Sequence, residues 1–184
     1  MMKWVATLAL AASATAVHAQ VQTVDYARSE VSFAGKQMGV PTEGRFKKYT
    51  AQIAFDPKQL ARAKVEVDID LGSVDTGASE TDAEVKKPLW FNVPAFPTAK
   101  FVSNSIKQIA PGRFEASGKL SIKGIGQDVR IPFTVQSAKG VNVFEGAFTV
   151  LRLQFKVGEG LWADTDTVAN EVQVRFRLVA QQRS

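Results

Sequence analysis

The segment Lys64-Val65-Glu66-Val67-Asp68-Ile69-Asp70-Leu71 alternates strictly between charged and aliphatic residues. In a β-strand, successive side chains point to opposite faces, so the four aliphatic residues share one face and the four charged residues share the other. A strand with one apolar and one charged face is typical of an antiparallel sheet that covers a core on one side. The segment therefore predicts such a sheet.

The same two-residue period recurs along most of the chain. It is clearest at 114–122, 129–135 and 172–178, and shorter or less regular strands fit 30–34, 50–55, 99–103, 143–149 and 151–155. Two short helices are expected between strands. One follows the cap and first-turn proline Asp56-Pro57 and runs to about Ala63, and the other spans 79–90. Gly158-Glu159-Gly160 is interpreted as a hairpin turn.

About eight antiparallel strands with one apolar face bury that face most simply by closing into a barrel. The sequence thus predicts an all-β fold with one or two short helices and a hydrophobic interior. Neither a linker nor an internal repeat divides the chain, so we expect one domain over residues 20–184. A barrel of this size is either filled by its own side chains or hollow enough for one small ligand.

Residues 1–19 have the pattern of a secretory signal peptide. Lys3 gives the positive start, 5–12 form the apolar stretch, and cleavage is expected after Ala19. His18 is the one histidine, and the chain has no cysteine. The exported protein would then lack the histidine or cysteine that a Ser-His-Asp or Cys-His nucleophile, a Cys/His zinc site or a His- or Cys-ligated haem requires. We therefore expect a binding protein with no cofactor. After the signal peptide, the sequence has no apolar run long enough to span a membrane.

Charged residues give weak signals. The net charge of +5 is mild, and the basic residues are not interleaved with aromatic ones, so nucleic acid is not an expected partner. Asp164 and Asp166 lack the glycine and distal glutamate of a calcium loop and are interpreted as a polar turn. Asp68 and Asp70 share a strand face with Lys64 and Glu66, which favours a solvent-exposed exterior over a paired-carboxylate active site.

The apolar faces carry twelve phenylalanines but only two tyrosines. Rings without polar groups suit a packed core and a tunnel for a hydrocarbon ligand equally well. Composition leaves both open.

Several motifs occur in the order and spacing of one known family. They are Val31-Ser32-Phe33, Gln37-Met38-Gly39-Val40, Gly44-Arg45-Phe46-Lys47-Lys48-Tyr49, Ile53-Ala54-Phe55-Asp56-Pro57, Ser73-Val74-Asp75-Thr76-Gly77, Trp90-Phe91-Asn92-Val93, Phe96-Pro97-Thr98, Gly118-Lys119-Leu120-Ser121-Ile122-Lys123-Gly124, Arg152-Leu153-Gln154-Phe155 and Val172-Gln173-Val174. Together they resemble the YceI-like family over essentially the whole exported chain. The chain departs from the family pattern at Gln37, Thr81, Glu84 and Lys156, which bears on headgroup recognition more than on the barrel.

The resemblance implies a lipocalin-like antiparallel barrel, periplasmic and non-enzymatic, that carries or stores a polyisoprenoid. The ligand would be an isoprenoid quinone such as ubiquinone, or a polyprenyl phosphate. Its tail is expected to lie along inward-facing residues, with the headgroup near Arg45 or Arg152. The tail residues are Phe33, Phe46, Ile53, Phe55, Val67, Ile69, Phe101, Leu120, Phe133, Phe148 and Phe176.

Two alternatives stay open: a small lipid-acting hydrolase or isomerase that uses carboxylates, and a packed stress-protective interaction module. A homodimer also stays open, as does a membrane or respiratory-protein donor or acceptor for the lipid.

Overall fold

A computed structural model describes residues 21–181, so the predicted signal peptide lies outside the described residues. Eleven strands make up most of the described chain, all paired antiparallel. They are β1 (Val21–Val24), β2 (Glu30–Gln37), β3 (Val40–Phe46), β4 (Tyr49–Ala54), β5 (Lys64–Asp70), β6 (Val74–Asp75), β7 (Thr98–Ala110), β8 (Arg113–Ile122), β9 (Ile125–Ala138), β10 (Val141–Leu151) and β11 (Glu171–Gln181).

Eight strands close into a barrel, which confirms the predicted fold class. The ring runs β1-β4-β5-β7-β8-β9-β10-β11, and β1 closes it by pairing with β11 at Thr23 and Val24. The strands β2, β3 and β6 extend the sheet from β11 at the other end of the barrel. Short 3-10 helices connect strands at Tyr26–Arg28, Leu60–Arg62, Leu71–Ser73, Arg152–Phe155 and Gly160–Ala163. None of the helices within residues 21–181 is long and apolar enough to cross a bilayer.

Both predicted helices are shorter in the structure. Asp56 does cap a turn, since its carboxylate accepts from the Lys58 N–H at 2.8 Å, but only a 3-10 turn at Leu60–Arg62 follows before β5 begins at Lys64. The second helix, α1, spans Ser79–Glu84 and not 79–90. Asp82, expected to complete a capping box, accepts instead from the Thr76 N–H and hydroxyl at 2.8 and 2.7 Å. Beyond α1, from Val85 onward, the chain continues as turns.

Two further predictions between β10 and β11 are wrong. The expected strand at 151–155 is a 3-10 helix from Arg152 to Phe155, ended by Lys156 at a positive φ of 53°. Gly158-Glu159-Gly160 is not a hairpin turn but the link between two 3-10 helices, and both glycines have a positive φ. Residues 152–170 thus form one long connection across an end of the barrel, which we call the cap loop.

The opposite end of the barrel is closed by aromatic and polar packing. The Phe55 ring meets Phe114 and Phe144 edge-on, with ring centroids 5.1 and 5.4 Å apart. Beside this cluster, the buried Asn142 amide donates to the Gln22 side-chain oxygen at 3.0 Å, and Gln22 donates to the Phe55 carbonyl at 2.9 Å. Because each of these buried polar groups has a partner, the end is sealed without an unpaired amide.

Candidate functional site

The barrel encloses a cavity of about 940 Å³. Its wall is almost entirely apolar because the inward positions of each strand are the aliphatic and aromatic ones. Strands β4, β5, β7 and β8 supply mainly aliphatic side chains, and β2, β3, β9, β10 and β11 supply most of the aromatic ones. Ten of the predicted tail residues lie in this lining: Phe33, Phe46, Ile53, Val67, Ile69, Phe101, Leu120, Phe133, Phe148 and Phe176.

Phe55 is the exception. It is buried, but it lies outside the lining because its ring belongs to the aromatic cluster that seals the barrel end. Phe55 therefore packs in the sealed end of the barrel, below the cavity. Contact of the other ten residues with a ligand remains a prediction.

Two glycines keep the aromatic wall flat. Gly44 on β3 lies opposite Phe33 on β2, and Gly146 on β10 lies opposite Phe176 on β11. A Cβ added at Gly44 would lie 2.4 Å from the tip of the Phe33 ring, and one at Gly146 would lie 2.5 Å from the Phe176 ring. Each ring thus occupies the space of the missing side chain, which leaves the middle of the barrel empty.

The cavity opens to solvent between the β2–β3 hairpin and α1. The exposed residues of its lining are on these elements, and include Lys36, Thr42 and Glu43 on the hairpin and Glu80 and Thr81 on α1. A gap exists here because β3 pairs with β6 only at Arg45 and Phe46, so the rest of that β3 edge meets no neighbouring strand in the described chain. We call this opening the portal.

Arg152 lines the cavity but has no N–H free for a headgroup. Its guanidinium is buried and donates to five main-chain carbonyls of the cap loop, at 2.6–3.0 Å. These carbonyls belong to Val157, Gly158, Trp162, Val168 and Ala169. Burial lowers the pKa of Arg152 from its ordinary value. The side chain therefore holds the cap loop together, and its contact with a headgroup stays a prediction.

Arg45, the other headgroup candidate, is not part of the cavity lining. Its side chain is exposed and forms an ion pair with Asp75 at 3.2 Å, alongside Lys47 at 3.1 Å. The hydrogen bond from Lys47 is the main reason that the pKa of Asp75 lies below its ordinary value. Arg45 thus fastens β3 to β6 on the outer surface.

Two residues near the portal were not among the predicted site residues. Trp90 and Trp162 both line the cavity, with ring centroids 5.5 Å apart, and the Arg152 guanidinium carbon lies 5.8 Å from the centre of the Trp90 ring. A tryptophan outside any clearly predicted strand was the one sequence feature that could have indicated them as site residues. Only the fold shows that Trp90 and Trp162 lie together.

Carboxylates are found at the portal or on the outer face. Those in the lining, Glu43, Glu80 and Glu84, are at the portal and not in the apolar interior. Asp68 pairs with Lys100 on the outer face at 3.4 Å, and Asp164 accepts from the Asp166 N–H and the Thr167 hydroxyl in a polar turn. Within residues 21–181, no three carboxylates come close enough together to hold a metal ion.

Residues 22–180 match the YceI-like domain. The chain belongs to the YceI-like family. A crystal structure of Burkholderia cenocepacia BcnA is similar to it, with 42% identity, a TM-score of 0.84, and coverage of 86% of this chain and 99% of that one. A UPF0312 protein of Shewanella denitrificans is 32% identical over 120 residues, which cover 64% of this chain and 63% of that protein's length.

The same barrel occurs in a more distant protein. A domain from Saccharophagus degradans, described as polyisoprenoid-binding, is 14% identical with a TM-score of 0.71, and the match covers 88% of this chain and 98% of the domain. At this identity the likeness shows a common fold.

Proposed function

We propose that this protein is a periplasmic, non-enzymatic carrier or store of an isoprenoid lipid, whose tail lies in the barrel cavity. The observation that supports this most directly is a closed barrel with a large apolar interior and a polar portal. Small-molecule sites typically measure about 300–1,000 Å³. A cavity of about 940 Å³ is at the upper end, in keeping with a long hydrocarbon chain.

Two comparisons support an isoprenoid over other lipids. The chain belongs to the YceI-like family, and the Saccharophagus degradans domain with the same fold is described as binding polyisoprenoids. The aromatic wall formed by Phe33, Phe148 and Phe176 is consistent with a branched, unsaturated chain packed against flat rings.

The portal favours an uncharged, planar headgroup, such as the ring of ubiquinone, over a polyprenyl phosphate. Trp90 and Trp162 offer aromatic surfaces beside the cavity, whereas Arg152 already donates all its N–H groups to carbonyls. A phosphate would need charge-assisted donors, which Arg152 could supply only by releasing the cap loop. At the portal, Lys36 is accompanied by three carboxylates, those of Glu43, Glu80 and Glu84, which would repel a phosphate.

A tryptophan fluorescence titration tests the proposal. The exported chain would contain two tryptophans, Trp90 and Trp162, and both line the cavity. Adding a long-chain ubiquinone to delipidated protein should quench both to saturation at one ligand per protein, and a polyprenyl phosphate should bind more weakly. No saturable quenching, together with an unchanged melting temperature, would support a packed interaction module. Turnover of the lipid would support the hydrolase or isomerase alternative.

A further inference from the structure

The three most exposed large apolar side chains of the described residues are at the portal end of the barrel. Leu161 is 92% exposed, Met38 72% and Val40 62%. Leu89, 47% exposed, lies at the same end. Burying such side chains in an apolar environment is favourable, and their exposure is therefore costly unless something covers them.

Contacts between their segments place these four side chains around one rim. The Leu89 side chain lies against Gly160, next to Leu161, at 3.7 Å from where a Cβ would be. One nitrogen of Arg152 donates to the carbonyls of both Trp162 and Val168, which brings those two parts of the cap loop together. The N–H of Met38 donates to the neighbouring Thr167 carbonyl at 2.8 Å. The rim therefore runs from Leu89 through the cap loop to the β2–β3 hairpin, beside the portal.

We propose that this rim is a membrane-docking surface, through which the protein takes up or delivers its lipid directly at a bilayer. This proposal rests on the proposed function only for the identity of the lipid that is transferred. The four side chains are on three separate short segments: Met38-Gly39-Val40 at the β2–β3 hairpin, Pro88-Leu89 in the turns after α1, and Gly160-Leu161 at the start of a 3-10 helix. Separate protrusions of this kind suit insertion between lipids better than a continuous protein interface.

Charge near the rim also points to a lipid surface. The residues of these three segments are uncharged. Charged residues of both signs flank them: the positive Lys86, Lys87 and Lys156, and the negative Asp164 and Asp166. A partner recognised by one sign of charge would meet repulsion as well as attraction here. The apolar side chains can enter a zwitterionic bilayer, and the resulting binding should depend little on salt.

Vesicle flotation with the full exported chain tests docking without any cargo. Wild type should float with phosphatidylcholine vesicles, equally at low and high salt. Met38→Ser combined with Leu161→Ser should lower vesicle partitioning at least ten-fold, and Ile109→Ser should leave it unchanged. Ile109 is a matched control, since it is 46% exposed but lies at the β7–β8 turn, on the sealed end of the barrel. Failure of wild type to float, or equal flotation of the double variant, would overturn the proposal.

A transfer assay separates docking from cargo binding. The double variant should take up ubiquinone from vesicles at least ten-fold more slowly than wild type, yet bind ubiquinone delivered from cyclodextrin with the same affinity. Equal uptake rates from vesicles would overturn docking while the carrier function stands. If wild type floats but binds no ubiquinone from either source, docking stands and the proposed function fails.

Discussion

Gly44→Ala should narrow the cavity without unfolding the barrel. The added Cβ would lie 2.4 Å from the Phe33 ring tip, against about 3.5–4.0 Å for an ordinary carbon–carbon contact. The ring must therefore move by roughly 1–1.5 Å. The three atoms nearest to the new methyl all belong to the Phe33 ring, so the ring can swing into the empty interior.

The magnitudes follow from the space available. A cavity of ~150 Å³ holds a benzene ring, so a displaced Phe33 would take at most about one sixth of the 940 Å³. Overpacking a filled core costs about 1–3 kcal/mol, but here the ring enters a void and alanine restricts the unfolded chain more than glycine by about 0.4–1 kcal/mol. The unfolding free energy of lipid-free protein should thus change by less than about 1 kcal/mol. Ubiquinone binding should weaken at least ten-fold, which is about 1.4 kcal/mol.

Gly35→Ala is the matched control. Gly35 is in the same hairpin and also lines the cavity, but a Cβ there meets only the Thr42 hydroxyl oxygen, at 3.7 Å. Chemical unfolding and fluorescence titration of both variants give the comparison. Gly35→Ala should bind ubiquinone like wild type. Unchanged binding by Gly44→Ala, or a loss of stability above about 3 kcal/mol, would refute the argument that Gly44 keeps the tunnel open.

Three further changes have defined outcomes. Val67→Phe puts a ring into the aliphatic wall of the cavity. The unfolding free energy of lipid-free protein should change by less than about 1 kcal/mol, while ubiquinone binding should weaken at least ten-fold. A loss of about 1–3 kcal/mol in urea unfolding would indicate a filled core. Arg152→Lys leaves at least two of five carbonyls unpaired, because lysine has three donors, and should cost at least about 2 kcal/mol in the same assay. The hydrogen bond from Lys123 holds the pKa of Glu159 below its ordinary value of 4.5. The stability that this pair contributes is therefore complete above pH 4.5, and it is lost as the pH falls through the lowered pKa of Glu159. Melting curves should therefore decline less steeply below pH 4.5 for Glu159→Gln than for wild type.

Alternation was enough to predict most of the barrel strands. Val65, Val67 and Ile69 face the cavity, and β5 spans Lys64–Asp70, one residue short of the predicted segment. The same period located the cores of β8, β9 and β11. Each of these strands has one apolar and one solvent-exposed face, which is the condition under which a two-residue pattern is informative.

The strand β3 gave no such signal. Its sequence Val-Pro-Thr-Glu-Gly-Arg-Phe is mostly exposed, since it forms the edge of the portal. Pro41 is tolerated because an edge strand needs fewer ladder hydrogen bonds. A strand that borders an opening lacks the buried face that would have revealed it.

The conformation of the cap loop depends on Arg152, whose hydrogen-bond partners are set by the tertiary fold. From sequence, Arg152 looks like a surface cation available to a headgroup, and 151–155 looks like a strand. The fold instead surrounds the guanidinium with carbonyls from positions 157 to 169. No local pattern encodes those partners.

The cavity itself could not be predicted from composition, because phenylalanines fill a core as readily as they line a tunnel. The deciding feature is the register that places Gly44 opposite Phe33 and Gly146 opposite Phe176. Register depends on strand pairing, so the meaning of these glycines becomes clear only once β2, β3, β10 and β11 are assembled.

Whether the barrel carries an isoprenoid lipid is tested by native mass spectrometry of protein exported to the bacterial periplasm and purified without detergent. We expect one bound lipid per barrel, which organic extraction and fragmentation identify as an isoprenoid. Gly44→Ala should lose this lipid and Gly35→Ala should keep it. A wild-type protein that carries no lipid, and whose delipidated form takes up no ubiquinone, would contradict the claim.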